Sequence, residues 1–444
     1  MLKKYLGQLV LRYFKLLSTI QLKKNPQAII IGITGSAGKT STRLAIVAML
    51  RGRGIVKHSM HANSESGIPL NILGLSPRNY GVLDWIRLIV LAPLMLITNW
   101  ERFAYYVVEM GIDGPEEPKN MAYLLKIIKP NVGIVLNARL VHSAAFDHLV
   151  KDNNGERRAV KVLRLISREK MLLAKSLTKQ SVAVVNIDQK ELLQEKRDIE
   201  ARLITFGKSA KATIQILDCK NDLRGFHFNL KYQNQIYPVH LTDIYTPHYA
   251  YTFASAVAAL AGIGIPPSVS LPGLASYKAP AGRMRIFEGI HESKIIDSSY
   301  NASPETMLES LKFLNDLAGR RKKIAVLGDM RELGISAKIA HKKLADWVRL
   351  YCDEVILYGD LTREYTLPVL LSKKFPVHHF SSIGSLNKYL RSVAKPKSTI
   401  LVKGSQNTIL LERAVEAILL NKADVARLCR RGKYWDKIRS SLEK

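Results

Sequence analysis

Residues 28–54, AIIIGITGSAGKTSTRLAIVAMLRGRG, constrain the fold more than any other stretch of the chain. The apolar, β-branched run 28–35 reads as a buried strand ending in glycine. Residues 39–54 read as a helix whose apolar positions are Leu44, Ala45, Val47, Ala48 and Leu50, stopped by Gly52 and Gly54. Between them, Gly35 and Gly38 let the backbone curl so that its N–H groups point inward, beside the helix N-terminus, as an anion cradle. Lys39 supplies a point charge for β/γ phosphates and Thr40 a hydroxyl for Mg²⁺. Gly35, Ser36, Ala37, Gly38, Lys39, Thr40 and Ser41 are therefore candidate nucleotide-binding residues, with ATP and Mg²⁺ as ligands. The loop departs from the strict G-x-x-x-x-G-K-[ST] form, because Ile33 stands at the first glycine. A tight strand–helix turn accounts for the glycines but not for Lys39 and Thr40 together.

The pattern repeats along the chain. Strands are expected at 104–110, 131–137 and 181–187, separated by helices such as 118–128 and 166–178. Alternation of this kind means a parallel sheet with helices on both faces. Residues 201–243 change to short alternating stretches and predict a small antiparallel flap, and 251–265 is a small-residue helix. The segment 266–283, rich in Pro, Gly and Ser, marks a boundary. Beyond it KIIDSS, KKIAVLGDM, EVILYGD and STILVKGS are strands of a second doubly wound domain, with Asp297, Asp329, Asp360 and Lys403 at the strand ends where such sheets bind ligands. The expected division is a basic N-terminal helix (1–27), an ATP-binding domain (28–279) with an apolar insertion (77–103), and a C-terminal α/β domain (280–444).

Lys and Arg number 67 against 37 acids, a formal charge of +30. An excess of this size needs an anionic counterpart: nucleotide phosphates, a phospholipid surface, nucleic acid or an acidic substrate. Aromatic–basic patches of the nucleic-acid-binding kind are not evident. The three cysteines, Cys219, Cys352 and Cys429, form no metal spacing and fit free thiols in a reducing cytoplasm. Residues 1–22 form a cationic amphipathic helix: Lys4, Gln8, Arg12, Lys15 and Thr19 on one side, Leu2, Leu6, Leu9, Tyr13, Leu16, Leu17 and Ile20 on the other. It either packs on the domain behind it or lies peripherally on an anionic membrane surface. The apolar stretch 82–100 contains Pro93, Asp84 and Arg87, and its uninterrupted core is too short to span a bilayer of roughly 30 Å. It is either a buried helical hairpin or an interfacial segment.

The phosphate loop resembles that of the Mur ligase family, which has the form T-G-x-x-G-K-T. Further stretches resemble the family in order: NSESGIPLNILGL, VVEMGIDGPEE, IVLNARLVHSAAF, REKMLLAKSL, AGRMRIFEG, IIDSSYNASPETM, VLGDMRELG and LVKGSQNTILLERAVEAI. DSSYNASP and GDMRELG are most similar to the MurF branch. The resemblance implies an ATP-dependent ligase that makes a peptide bond through an acyl phosphate, adding D-Ala-D-Ala to a peptide-carrying cell-wall precursor. It also implies a cytoplasmic monomer. Alternatives are the same core acting on a folate-like, poly-amino-acid or lipid-linked acceptor, or a non-catalytic P-loop protein at a membrane.

Residue by residue, the resemblance implies that Thr40 and Glu109 bind one Mg²⁺ and that His142 helps bind a second. It implies a carbamylated, metal-binding Lys170, with Lys175 in the same helix as the alternative. Asn186 and Asn301 would lie near adenine, Asp297 at the ribose and Arg283 at the γ-phosphate. Asn63, Asp329, Glu332 and Lys403 would serve the substrates. Two departures from the family stand out. The loop begins at residue 34, so the separate N-terminal domain that grips uridine diphosphate is expected to be missing. The family's H-N-x-x-N segment is HYAYT (248–252) here.

Overall fold

The computed structural model describes residues 2–60, 62–140, 143–152, 154–222, 225–242, 248–405 and 409–442. Nine strands form the first sheet: β1 (Ile29–Thr34), β2 (Val56–His58), β3 (Tyr105–Glu109), β4 (Val132–Val135), β5 (Val182–Asn186), β6 (Arg202–Gly207), β7 (Ile214–Asp222), β8 (Gly225–Tyr232) and β9 (Gln235–Leu241). Their order is β2-β3-β1-β4-β5-β6-β7-β8-β9. All pairs from β2 through β7 are parallel, and β7–β8 and β8–β9 are antiparallel. The alternating segment is antiparallel over β7–β9, as expected, and it joins the main sheet at its edge. Its first strand, β6, is parallel, because it returns to the β5 edge after the short helix Lys190–Gln194.

Six more strands form the second sheet: β10 (Arg285–Glu288), β11 (Lys294–Ser298), β12 (Lys322–Gly328), β13 (Glu354–Tyr358), β14 (Val377–Phe380) and β15 (Ser398–Lys403). The order is β10-β11-β15-β12-β13-β14, parallel apart from β10.

The helix Lys39–Met49 follows β1 and ends short of the two glycines, with Leu50 as its C-cap. The helix expected over 166–178 begins earlier and runs Gly155–Lys175, because the Asn154 side chain caps it by accepting from Glu156 N and Arg157 N. The one expected over 118–128 is only Met121–Leu125. On the face carrying Lys39–Met49 lies His248–Gly262, whose Ala250, Ala254, Ser255 and Ala258 are wholly buried. Small side chains there let it lie close against the sheet, with buried Phe253 reaching Phe228.

The N-terminal helix, Leu2–Leu22, packs on the domain through a face other than its leucine row. Phe14, Ser18 and Gln21 are buried, while Leu6, Leu9, Leu16 and Ile20 stay exposed. The stretch 82–100 is not a hairpin: it is one helix, Val82–Thr98, running through Pro93. Leu88 and Ala92 are buried with Phe14 and with Leu70 and Leu73 of the helix Gly67–Leu73. Buried Asp84 accepts from the backbone N–H groups of Arg78, Asn79 and Tyr80 and pairs with Arg87, which fixes the start of this helix. Among the described residues, no single helix is long and apolar enough to cross a membrane.

Candidate active site at the phosphate loop

Parallel register brings the C-terminal ends of four strands together. Glu109 ends β3, Thr34 leads into the loop from β1, Leu136 and Asn137 follow β4, and Asn186 ends β5. The chain leaves β1 toward β2 on one side and leaves the adjacent β4 toward β5 on the other, so the crevice opens between β1 and β4. Gly38 has φ 89°, in the left-handed region that favours glycine, and forms the N-cap of Lys39–Met49.

Asn137 braces the loop: its side chain accepts from Ala37 N at 2.9 Å and donates to Ala37 O at 3.0 Å, while its carbonyl accepts from Ser36 N. Ser36 Oγ accepts from Arg139 N at 2.9 Å. Lys39 Nζ donates to Gly35 O at 2.6 Å. Thr40 Oγ1 donates to Glu109 Oε2 at 3.0 Å, and Arg43 Nε donates to Glu109 Oε1 at 2.8 Å. Ser41 is buried behind the loop.

Mg²⁺ takes hard oxygen donors at about 2.0–2.1 Å in near-ideal octahedral geometry, so neighbouring ligand oxygens stand roughly 2.9 Å apart. The Thr40 hydroxyl and Glu109 carboxylate, 3.0 Å apart, fit that requirement. Among the described residues no group of three or more His, Cys, Asp or Glu could hold a metal by itself. His142 lies outside the described residues.

Positive charge converges on this crevice. Lys170, buried in the helix Gly155–Lys175, is pushed down to about 7 by burial and then by Lys39, against the pull of Asp113 and Glu169. Burial likewise lowers Lys39, with Arg283 adding to the shift and Glu109 opposing it. Lys403, at the end of β15, donates to Ser298 Oγ and Asn301 O, both at 3.0 Å. Burial also brings it down to about 7, against the attraction of Glu309 and with Arg283 and Arg139 reinforcing. The Arg283 guanidinium stacks 4.4 Å from the Tyr300 ring centroid.

The remaining expected residues are dispersed around this centre. Asn186 spends its amide internally, donating to Leu136 O and accepting from Asp188 N. Asp297 is fully buried; Oδ1 accepts from Ser299 N and Oγ, whereas Oδ2 has no hydrogen-bond partner. Asn301 Oδ1 accepts from Ala302 N. Exposed Asn63 meets the site through its carbonyl, which accepts from Gly111 N just beyond Glu109. Asp329 caps the segment after β13 by accepting from Leu361 N and Thr362 N. Glu332, with φ 62°, lies where the two sheets' loops meet, its carbonyl accepting from Ala144 N. The Arg139–Glu309 pair at 3.0 Å and the Ser143 Oγ to Leu333 O bond cross the same seam.

Sequence reasoning passed over Asn137, Arg43, Arg139 and His248. Arg43 carried a signal: a cation one turn beyond Lys39 inside an apolar helix. His248 carried a weaker one, at the altered H-N-x-x-N segment. The structure sets His248 Nε2 over the loop, 3.6 Å from where a Cβ on Gly38 would stand.

A phosphate loop on a parallel sheet, faced by a second α/β domain that adds cations to the same crevice, defines a two-domain nucleotide-dependent core. The chain belongs to the Mur ligase family. Residues 33–260 match the Mur ligase middle domain and 282–406 the Mur ligase glutamate ligase domain. It is 26% identical over 402 residues to the UDP-N-acetylmuramoyl-tripeptide–D-alanyl-D-alanine ligase of Rickettsia prowazekii, covering 89% of this chain and 79% of that one. The Bacillus subtilis protein of the same name is 26% identical over 386 residues, covering 86% and 74%. MurF from Thermotoga maritima in complex with ADP superposes with a TM-score of 0.73 at 22% identity, over 97% of this chain and 84% of that one. MurF from Acinetobacter baumannii gives 0.72 at 20% identity, over 93% and 79%.

Proposed function

We propose that the chain is an ATP-dependent ligase of the MurF type, joining D-Ala-D-Ala to a UDP-MurNAc-tripeptide-like acceptor. The reading is supported by the naming of the relatives and, most directly, by the cation cluster. Burial chiefly, and then neighbouring cations, disfavour the charges of Lys39, Lys170 and Lys403 against the pull of Glu109, Asp113 and Glu309, so an anion entering among them would favour their charged forms. A triphosphate and a substrate carboxylate are anions of that kind.

Joining a carboxylate to an amine requires activation. Transfer of the ATP γ-phosphoryl group to the carboxylate gives an acyl phosphate, and the amine then displaces phosphate. Such transfer is mostly positioning and charge neutralisation. The loop amides of residues 35–41 and Lys39 hold the β and γ phosphates, and Arg283 approaches the γ-phosphate from the second domain. Mg²⁺, held by Thr40 and Glu109, would neutralise phosphate charge. His142 is assigned to a second Mg²⁺. A lysine near pKa 7 is about half uncharged at neutral pH, against almost none for an ordinary lysine, and only a neutral amine adds CO₂, so Lys170 is chemically suited to become a carbamate ligand. Asn186, Asp297 and Asn301 are assigned to the nucleoside; Asp297 Oδ2 has no partner inside the protein but is buried, so a ribose hydroxyl would reach it only if the strand end were uncovered. Asn63 is assigned to the acceptor. Asp329, Glu332 and Lys403 are assigned to the incoming dipeptide, which a neutral Lys403 could deprotonate or orient. The proposal includes a cytoplasmic monomer in peripheral contact with the inner face of an anionic membrane.

The test is ADP release with purified substrates. Turnover that requires both UDP-MurNAc-tripeptide and D-Ala-D-Ala supports the assignment. Turnover on folate-like or poly-amino-acid acceptors instead would replace it, and no turnover on any acceptor would remove the ligase reading.

A further inference from the structure

We infer that the outer faces of the helices Leu2–Leu22 and Val82–Thr98 form one platform that lies flat on an anionic lipid bilayer. The inference rests on the peripheral-contact part of the proposed function and is independent of the ligase chemistry. Among the described residues 25 large hydrophobic side chains are exposed, and 12 of them fall within residues 6–20 and 80–100. On the second helix they form a stripe at helical spacing, Leu83, Ile86, Val90, Leu94 and Ile97, with exposures from 52% to 83%. A helix on the surface of a water-soluble domain turns its polar side outward. Here the outward stripe holds no charge at all, while the inward face holds buried Asp84, paired with half-buried Arg87.

The two helices run side by side in the same sense. Phe14 meets Trp85, Tyr13 donates to Ile89 O, and further along Gln21 donates to Asn99 O. Both bury their inner faces in one cluster with Leu70 and Leu73, so their opposite faces both look away from the protein. Leu6, Leu9, Leu16 and Ile20 add a second apolar row. Contiguous apolar surface of this extent marks an interaction site.

Charge selects the occupant. Residues 2–24 hold six Lys or Arg and no acid. Exposed Arg12, Lys23, Arg78 and Arg102 border the apolar rows. Exposed Tyr80 and Trp100 stand at the two ends of the second helix, with Lys24 Nζ 4.3 Å from the Trp100 ring centroid. Aromatic and basic residues flanking an apolar band are the pattern of a helix lying in a headgroup region. A second protein copy bearing the same charges would be repelled. The shared underlayer, Gly67–Leu73, begins four residues after Asn63, so one short helix separates this surface from the candidate active site.

The test is flotation of the full chain with vesicles of phosphatidylcholine alone or mixed with phosphatidylglycerol, at low and high salt. Binding should be on the order of tenfold or more tighter to the anionic vesicles and should weaken with salt. The double variant Ile86→Glu/Leu94→Glu should lose it, keeping its melting temperature and its turnover with soluble acceptor. In the unaltered platform, Trp100 fluorescence should shift to the blue on adding anionic vesicles, and the shift should shrink in Trp100→Phe. Binding that the double variant keeps would place the contact on another face and overturn the platform alone. No anionic preference in the wild type, or self-association that the variant abolishes, would overturn it too.

Discussion

At the scale of single residues, the loop chemistry was readable because it is local. Gly35, Gly38, Lys39 and Thr40 lie within six positions, and each role follows from residue type. Lys39→Ala should reduce turnover by about 10²-fold or more while leaving the fold intact, since it removes charge compensation at the transferred phosphoryl group. Steady-state ADP release checks this, and near-normal turnover would contradict it. Lys170 and Lys403 could not be read in this way. Their depressed values arise from burial beside cations supplied by distant segments, which no local pattern encodes. The consequence for stability has a definite sign. A lysine with folded pKa near 7 and unfolded value near 10.4 binds fewer protons when folded across that interval, so stability rises with pH there. The nucleotide-free protein should therefore melt at higher temperature at pH 9 than at pH 7, a gain that Lys403→Met removes in part. ATP should flatten the slope by favouring the charged forms. Calorimetry across that interval decides it, and a wild-type slope unchanged by Lys403→Met would contradict the argument. Carbamylation of Lys170 predicts a ¹³C carbamate resonance in protein exchanged with labelled bicarbonate, and inactivity of Lys170→Ala. Active enzyme with an unmodified Lys170 would refute the carbamate.

At the scale of elements, strands were easier to read than faces. β1, β3, β4 and β5 lie within the expected ranges, because a parallel strand buried on both sides has to be apolar throughout. The sequence of the N-terminal helix left open whether it packs on the domain or lies on a membrane, and did not show which face packs. Its leucine row is the more apolar one, but Phe14, Ser18 and Gln21 meet Leu70, Leu73 and Asn99, and those partners are more than fifty positions away. The same limit hid the shape of 82–98, where Pro93 suggested a break. Proline removes one intrahelical bond, and here the exposed helix continues past it. Asp84 gave a local hint that was read only as a charge unsuited to a span. It gathers three backbone N–H groups and Arg87, which hold its carboxyl well below the usual range even though burial pushes it up. Asp84→Ala should leave those donors unpaired and destabilise by about 2–3 kcal/mol, from hydrogen bonds to a charged group. Chemical denaturation checks this, and a variant as stable as wild type would remove Asp84 from its role.

At the scale of the whole molecule, the crevice is assembled from both sheets, and its electrostatics make sense only when they face each other. The boundary segment 266–283 was legible as Pro- and Gly-rich sequence, but not the seam it creates. Along that seam Ser143 meets Leu333, Asp147 Oδ2 accepts from Ile335 N, and Arg139 pairs with Glu309. Arg139 also contacts the phosphate loop through its backbone N–H to Ser36 Oγ, so one residue ties loop and second domain together. Arg283 and Lys403 come from the far side; Arg283 disfavours the charge of Lys39 and Arg139 that of Lys403, against the attraction of Glu109 and Glu309, and phosphates in the gap would add to the attraction that draws the two sides together. Nucleotide should therefore shift the population toward the closed arrangement, as is general for sites that exclude water during phosphoryl transfer. Small-angle scattering should show a smaller radius of gyration with an ATP analogue and acceptor than without. Arg139→Glu should weaken that compaction by setting two acids against each other across the seam, and Arg139→Glu/Glu309→Arg should restore part of it. Restoration separates a seam contact from simple damage to the loop, since loop damage would not be repaired from the second domain. Identical profiles with and without ligands would mean that the cations are held together by the fold alone and that closure plays no part in binding.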